Sequence, residues 1–215
     1  MHPSTAWLRA SLRLWKRRQA YRYRRLAAAK RSGNQKRIAH WHRLVDKASY
    51  EVGRRRVQLA ARRPLRERAA DIMEKWARQG VHEVGGNNVG KAVERIIREG
   101  GGTKGDPWCG WAVAAAYREA GSKTVTRAWG YVPTLERILS GVVRPRRGDV
   151  VIFNFDGGVP DHTGMFLRDN GDGTVKTVEG NTRPGTAASD SGGGEGVYVR
   201  DRPKGMIQSY RRVRG

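Results

Sequence analysis

The 215-residue sequence has a single cysteine, Cys109. That excludes an intramolecular disulfide and any multi-cysteine zinc site. Long apolar runs are also missing. The longest stretch without a charge is Pro107–Tyr117, eleven residues, against roughly 20 for a membrane-spanning helix. The opening M-H-P-S-T-A-W-L-R-A has no apolar core followed by a small-residue cleavage site. No secretory signal is expected, so the protein is expected to stay in the cytoplasm until released or packaged. Acids are scarce: 20 Asp and Glu against 43 Lys and Arg give a net charge of +23, which favours a polyanionic partner. The chain is long enough for one ordinary domain plus an extension.

Glycine, proline and acids are nearly absent from residues 1–63, which contain only Gly33, Gly53, Pro3, Asp46 and Glu51. The same segment holds 19 Lys and Arg, a net +17, so most of the charge sits in under a third of the chain. The shift in composition places a domain boundary near Pro64. Leu8, Leu12, Trp15, Gln19, Tyr23 and Leu26 recur at three- and four-residue steps. So do Ile38, Trp41, Val45, Ala48, Val52, Arg55 and Leu59, with Ser32-Gly33-Asn34 as a turn between them. This predicts a basic antiparallel helical hairpin or coiled coil over 1–63, with Trp15 and Trp41 packed inside it. Its expected partner is an anionic cell-wall polymer, a membrane surface or a nucleic acid. Trp7, Trp15, Tyr21 and Tyr23 interleave with arginines, which suits lipid interfaces and nucleic acid alike.

Beyond Pro64 the texture is mixed. Helical spacing runs from Pro64 to Gly80, then over Val89–Glu99, and a third helix begins at Cys109 and ends before Gly121. Strand patterns follow at Asp149–Phe155, Thr163–Arg168, Thr174–Val178, Val197–Arg200 and Ile207–Val213, with Gly171-Asp172-Gly173 as a hairpin turn. Helices first and strands afterwards predict an α+β domain, its helices packed on an antiparallel sheet.

Cys109 opens the third helix in Asp106-Pro107-Trp108-Cys109-Gly110-Trp111. A thiol there faces unpaired N–H groups and the positive end of the helix dipole, which stabilise the thiolate and can bind an oxyanion. The alternative is a buried, inert cysteine. Among the histidines, His2 is terminal, His40 and His42 lie in the basic helix, and His82 sits in a turn. His162 begins a strand, where rigid backbone can hold a base at the rim of a sheet. Glu179 and Asn181, two apart on the neighbouring strand, share a face by alternation, and either can accept the imidazole N–H. Trp108, Trp111, Trp129 and Tyr131 are candidates to line the cleft and stack on substrate. Asp190–Gly196 is a candidate rim loop.

With those residues assembled, Pro64 to Arg214 resembles the CHAP family, the cysteine- and histidine-dependent amidohydrolase/peptidase domains of bacteriophage endolysins and bacterial cell-wall hydrolases. The resemblance rests on Glu83-Val84-Gly85-Gly86-Asn87-Asn88, Trp108-Cys109-Gly110, Gly148-Asp149-Val150-Val151, His162-Thr163-Gly164 and Glu179-Gly180-Asn181-Thr182, with Tyr198-Val199-Arg200 and Tyr210-Arg211-Arg212-Val213 towards the end. It implies a papain-like α+β catalytic domain over 64–215. It also implies hydrolysis of peptidoglycan amides, as an N-acetylmuramoyl-L-alanine amidase or an endopeptidase. By motif match Cys109 is the nucleophile, His162 the base, Glu179 the orienting group and Asn181 an additional polar residue near the histidine. Some relatives bind calcium through acids ahead of the cysteine. Here Gly102–Asp106 has one acid and one lysine, so no metal or other cofactor is expected. The hairpin is outside the family pattern. Two other readings stay open: a virion-associated lysin used in cell entry, and a nucleic-acid-binding protein acting through the basic helices.

Overall fold

The structure, a computed structural model, describes residues 3–183 and 195–214. It divides into two compact units, Met1–Arg63 and Pro64–Gly215.

In the first unit, Ser4 caps α1 (Thr5–Arg31) by accepting the Trp7 N–H at 3.1 Å. Asn34 caps α2 (Gln35–Ala60) by accepting the Arg37 N–H at 3.0 Å. Both residues supply the side-chain oxygen that an N-terminal first turn lacks. The two helices pack along each other. Leu8, Leu26 and Ala29 of α1 are buried, as are Val45, Ala48 and Val52 of α2. The seam is unusually polar. Gln19 donates to Ser49 Oγ at 2.9 Å, and Arg22 donates to the Leu44 carbonyl at 2.8 Å. Buried Arg55 donates to Ser11 Oγ at 2.5 Å and pairs with Glu51. Its guanidinium lies 5.3 Å from the Trp15 ring centre. One expectation is corrected: Tyr23 leaves the stripe and is 51% exposed. Two successive four-residue steps drift off a 3.5-residue seam, so Arg22 takes the place and finds a carbonyl partner across it.

The second unit begins with α3 (Leu65–Arg78) and α4 (Lys91–Gly100), each burying one stripe: Ala69, Ala70, Met73 and Trp76 in α3, and Val93, Ile96 and Ile97 in α4. Next comes α5 (Cys109–Glu119), buried at every position from Cys109 to Tyr117. A helix that is apolar all round belongs in the middle of a core, and α5 packs against α3, α4 and the sheet. A 3-10 turn (Arg127–Gly130) and α6 (Val132–Ile138) follow, then β1 (Ser140–Gly141). The strand periodicity does not mark these three. They are short, and α6 starts on a Val-Pro that reads as a turn.

The remaining strands are β2 (Val150–Phe153), β3 (His162–Asp169), β4 (Thr174–Thr182), β5 (Gly196–Pro203) and β6 (Ile207–Arg212). They form an antiparallel sheet in the order β1-β6-β2-β3-β4-β5. Val150, Ile152, Met165, Leu167, Val178 and Val197 join the core with the helices, while Val151, Phe153, Phe166 and Val175 form a second, smaller cluster. This is the alternation of a two-faced sheet. The unit is mixed α+β, with its helices ahead of an antiparallel sheet. Among the described residues, no helix is long and apolar enough to cross a membrane.

One hydrogen bond ties the central helix to the sheet: the buried Tyr117 hydroxyl donates to the Gly148 carbonyl, just ahead of β2, at 2.6 Å. Burial, and Asp149 nearby, push the phenol's pKa well above its usual range, so it remains a donor. Tyr117→Phe removes that donor and should cost about 1–2 kcal/mol. A melting temperature lowered by a few degrees in a circular dichroism melt is the expected result.

Candidate active site

Cys109 is the first residue of α5, and Trp108 ahead of it makes no side-chain cap. The N–H groups of that first turn therefore have no acceptor within the helix. Gly180 lets the turn lie against β4: a Cβ there would sit 2.5 Å from Ala112 Cβ and 2.9 Å from the Trp108 ring. Trp108 fixes the approach from the other side. Its indole N–H donates to Glu83 Oε1 at 3.0 Å. Glu83 is held in turn by backbone bonds to residue 195: its N–H donates to the Glu195 carbonyl at 2.8 Å, and its Oε2 accepts the Glu195 N–H at 3.3 Å.

His162 opens β3 opposite Phe153 on β2. Its ring is buried, with the rings of Phe153 and Phe155 both 5.7 Å away. Nε2 lies 2.9 Å from Glu179 Oε2. Met165 pairs with Val178 across β3 and β4, so Gly164 comes opposite Glu179. A Cβ on Gly164 would lie 2.5 Å from Glu179 Cγ. The missing side chain is what allows the carboxylate to lean along the sheet to the histidine. Glu179 is fully buried and saturated with donors. Oε1 accepts Thr177 Oγ1–H at 2.5 Å and Arg202 Nε–H at 3.0 Å, and Oε2 accepts Arg202 Nη2–H at 2.6 Å.

The electrostatics follow from this packing. Burial alone would lower the His162 pKa, but hydrogen bonding and charge from Cys109, then from Glu179, reverse that and raise it to about 9. Burial would raise Glu179, yet His162 and Arg202 outweigh it and hold the carboxyl at about 2. An imidazolium beside a sulfur and an ionised carboxylate is the state these neighbours favour.

Cys109 lines a cleft of about 560 Å³ together with Asp106, Trp111, Arg127, Tyr131 and Asp161. The structure thus brings Cys109, His162 and Glu179 together and leaves Tyr131, 63% exposed, on the cleft wall. Two expectations are corrected. Trp108 and Trp129 are buried and present no ring face to a ligand: Trp108 is spent on Glu83, and Trp129 packs edge-on against Tyr117 at 5.5 Å. Asn181 also departs from simple alternation. The pairing of β4 with β5 shifts between Glu179 and Thr182, and Asn181 has a left-handed backbone, φ 58°. It is Glu179 that bonds the imidazole. Asn181 Oδ1 is buried with no hydrogen-bond partner among the described residues.

Of the other histidines, His42 is exposed on α2. His40 packs edge-on against Trp41 in the first unit, and His82 Nδ1 lies 2.6 Å from the Gly80 carbonyl. His2 lies outside the described residues, as does most of the expected Asp190–Gly196 rim. Ahead of the cysteine, Lys104 pairs with Glu94 at 3.1 Å and Asp106 accepts the Thr103 N–H at 2.8 Å. No cluster of three metal-ligating side chains occurs among the described residues. Sequence reading missed Arg202, whose only trace is two arginines at alternate positions, Arg200 and Arg202, in a strand. It also missed Arg127 and Asp161 at the cleft, and it marked Glu83 as part of a motif without its bond to Trp108.

The His162 ring should titrate far above the ordinary histidine range. In ¹⁵N-histidine NMR its midpoint is expected near 9, with protonation complete at neutral pH. Glu179→Gln should lower that midpoint by about one unit or more. A midpoint near 6.5 in the unaltered protein would contradict this.

Residues 101–181 match the family model of the CHAP domain. No curated protein matches the chain. The matched span starts as α4 ends and reaches the close of β4, so it contains Cys109, His162 and Glu179. Residues 101–181 are therefore similar to the CHAP domain, whose members are generally cysteine- and histidine-dependent amidohydrolases or peptidases.

Proposed function

We propose that the protein is a peptidoglycan hydrolase of endolysin type that cuts an amide bond of the bacterial cell wall through Cys109, His162 and Glu179. The observation that carries this reading is the His162–Glu179 contact at 2.9 Å. It occupies Nε2 and leaves Nδ1 for the sulfur at the start of α5. One ring nitrogen on an orienting carboxylate and the other turned to the nucleophile is the arrangement a thiol hydrolase needs.

In the reaction, the Cys109 thiolate attacks the amide carbonyl, and free N–H groups of the first turn of α5 receive the oxyanion. The His162 imidazolium gives its proton to the leaving amine as the C–N bond breaks, leaving a thioester on Cys109. The neutral imidazole then takes a proton from water as the water attacks the thioester. The acid product leaves and the thiolate–imidazolium pair is restored. Glu179 holds the ring in register throughout. Tyr131 and Arg127 line the cleft where the substrate lies. Muramoyl–alanine amides and stem or cross-bridge peptide bonds share this chemistry.

Residues 1–63 act as a tether to an anionic surface of the wall or its underlying membrane. Their charge supplies the attraction. Trp7, Leu14 and Tyr21, seven residues apart on α1, are each about half exposed (52%, 48% and 51%) and bordered by Arg17, Arg18, Arg24 and Arg25. A stripe of aromatic and aliphatic side chains edged with arginine suits an anionic lipid interface. Tethering raises the local concentration of the hydrolase at its substrate. The same enzyme would serve host lysis from within or entry from a virion. A nucleic acid would satisfy the charge but leave the thiol site without a task.

Cys109→Ala should abolish wall lysis with an unchanged far-UV circular dichroism spectrum; lysis that survives would refute the nucleophile. Wild-type activity should fall as pH rises through about 9, where His162 loses the proton it must donate. Mass spectrometry of digested walls identifies the bond cut. A chain of residues 64–215 should bind walls less than the full chain does, and 0.5 M salt should remove most of that difference, since roughly 10 Å of screening at 0.1 M shortens further as salt rises. Equal binding by both chains would dismiss the tether.

A further inference from the structure

We infer that Arg202 is a positioning residue for the histidine, fixing the Glu179 carboxylate in the orientation that serves His162 and limiting how firmly that carboxylate retains the imidazolium proton. The inference rests on the reaction proposed above and extends it to a strand that lies outside the matched family span.

The geometry is specific. Arg202 is 1% exposed. Its Cα pairs with Val175, four residues back along β4 from Glu179, so the side chain runs along the sheet to reach the carboxylate. There it donates two parallel bonds, Nε to Oε1 at 3.0 Å and Nη2 to Oε2 at 2.6 Å, and Nη2 also reaches Thr182 Oγ1 at 3.2 Å. A lysine cannot reproduce that fork. The guanidinium carbon lies 5.5 Å from the Phe153 ring centre and 5.0 Å from that of Phe155. These are the same two rings that flank His162. One aromatic pair therefore holds the imidazole and the guanidinium on either side of the carboxylate. Rotating Glu179 away would break its bonds to Thr177, His162 and Arg202 together.

The charge balance gives the second part. The groups that face Glu179 are His162 from β3, with Cys109 of α5 behind it, and Arg202 and Arg200 from β5. The Glu179 carboxylate is thus shared between the imidazolium and the Arg202 guanidinium, which both bond Oε2. Without the guanidinium, a buried carboxylate beside the imidazolium would hold its proton more tightly. The proton that has to pass to the leaving amine would then be harder to release. The alkaline limb of the pH–activity profile would move upward.

The test uses two variants of the full chain. Arg202→Met removes charge and fork; Arg202→Lys keeps the charge and loses the fork. Two readouts are followed: ¹⁵N NMR titration of His162 in the resting protein, and the pH profile of wall lysis. For Arg202→Met we expect a His162 midpoint raised by about one unit, the alkaline limb of the profile shifted up with it, and lysis at pH 7 reduced about tenfold or more. For Arg202→Lys we expect a midpoint within a few tenths of wild type and lysis reduced about fivefold by loss of orientation. An unchanged midpoint and profile in Arg202→Met, with only a lower melting temperature, would assign Arg202 a structural role and overturn the inference. If Arg202→Met does not fold, Arg202→Lys with wild-type lysis would overturn it equally. The NMR titration needs no turnover. A Cys109→Ala protein that still lyses walls would sink the proposed reaction while leaving the effect of Arg202 on His162 measurable.

Discussion

The second unit is organised around one dry contact, the His162 imidazole against the Glu179 carboxylate. A buried carboxylate is stable only when its lone pairs are taken. Thr177, Arg202 and His162 take them, from β4, β5 and β3 in turn. Three neighbouring strands therefore have to be in register before the charge can be buried at all. The glycines on either side follow from the same demand. Gly164 leaves room for the carboxylate, and Gly180 leaves room for α5 to approach close enough to set its first residue beside the ring.

That contact also explains why the helix bearing the sulfur is the most buried one. A helix end offers free N–H groups and a favourable field only to what lies directly at its tip. Placing the tip within reach of His162 means driving α5 through the centre of the core. The alanines at 112 and 114–116 make that passage narrow enough. The polar ties at its flanks, Trp108 to Glu83 and Tyr117 to Gly148, hold it against sliding. Chemistry at one end of the helix and packing along its length are two results of one placement.

Much of this was legible in the sequence, and the reasons differ by residue. Cys109 stood out because it is a lone cysteine at a helix start, and His162 because it opens a core strand, where rigid backbone holds a base at the rim of a sheet. The turn at Gly171–Gly173 made β3 and β4 neighbours, which brought Glu179 to His162. Arg202 was not legible. A strand arginine normally points to solvent, and partners from distant positions, a carboxylate, a threonine and two phenylalanines among them, make this buried one tolerable. Trp108 and Trp129 misled in the opposite sense, since an aromatic beside a reactive residue reads as a binding surface when it is in fact packing. Asn181 shows the limit of alternation: a left-handed residue and a shift in pairing undo a period-2 argument within two positions. In the first unit the heptad located the seam, but the choice between Arg22 and Tyr23 turned on a carbonyl of the opposite helix.

The most direct test of the account is to catch the acyl group on the sulfur. The full chain would be mixed with wall fragments, quenched in acid within the first turnover, and mapped by peptide mass spectrometry. The account predicts a muropeptide or peptide acyl adduct on Cys109 that disappears on further incubation and never forms in His162→Ala. Efficient hydrolysis with no adduct on Cys109 at any time, or an adduct on another residue, would contradict it.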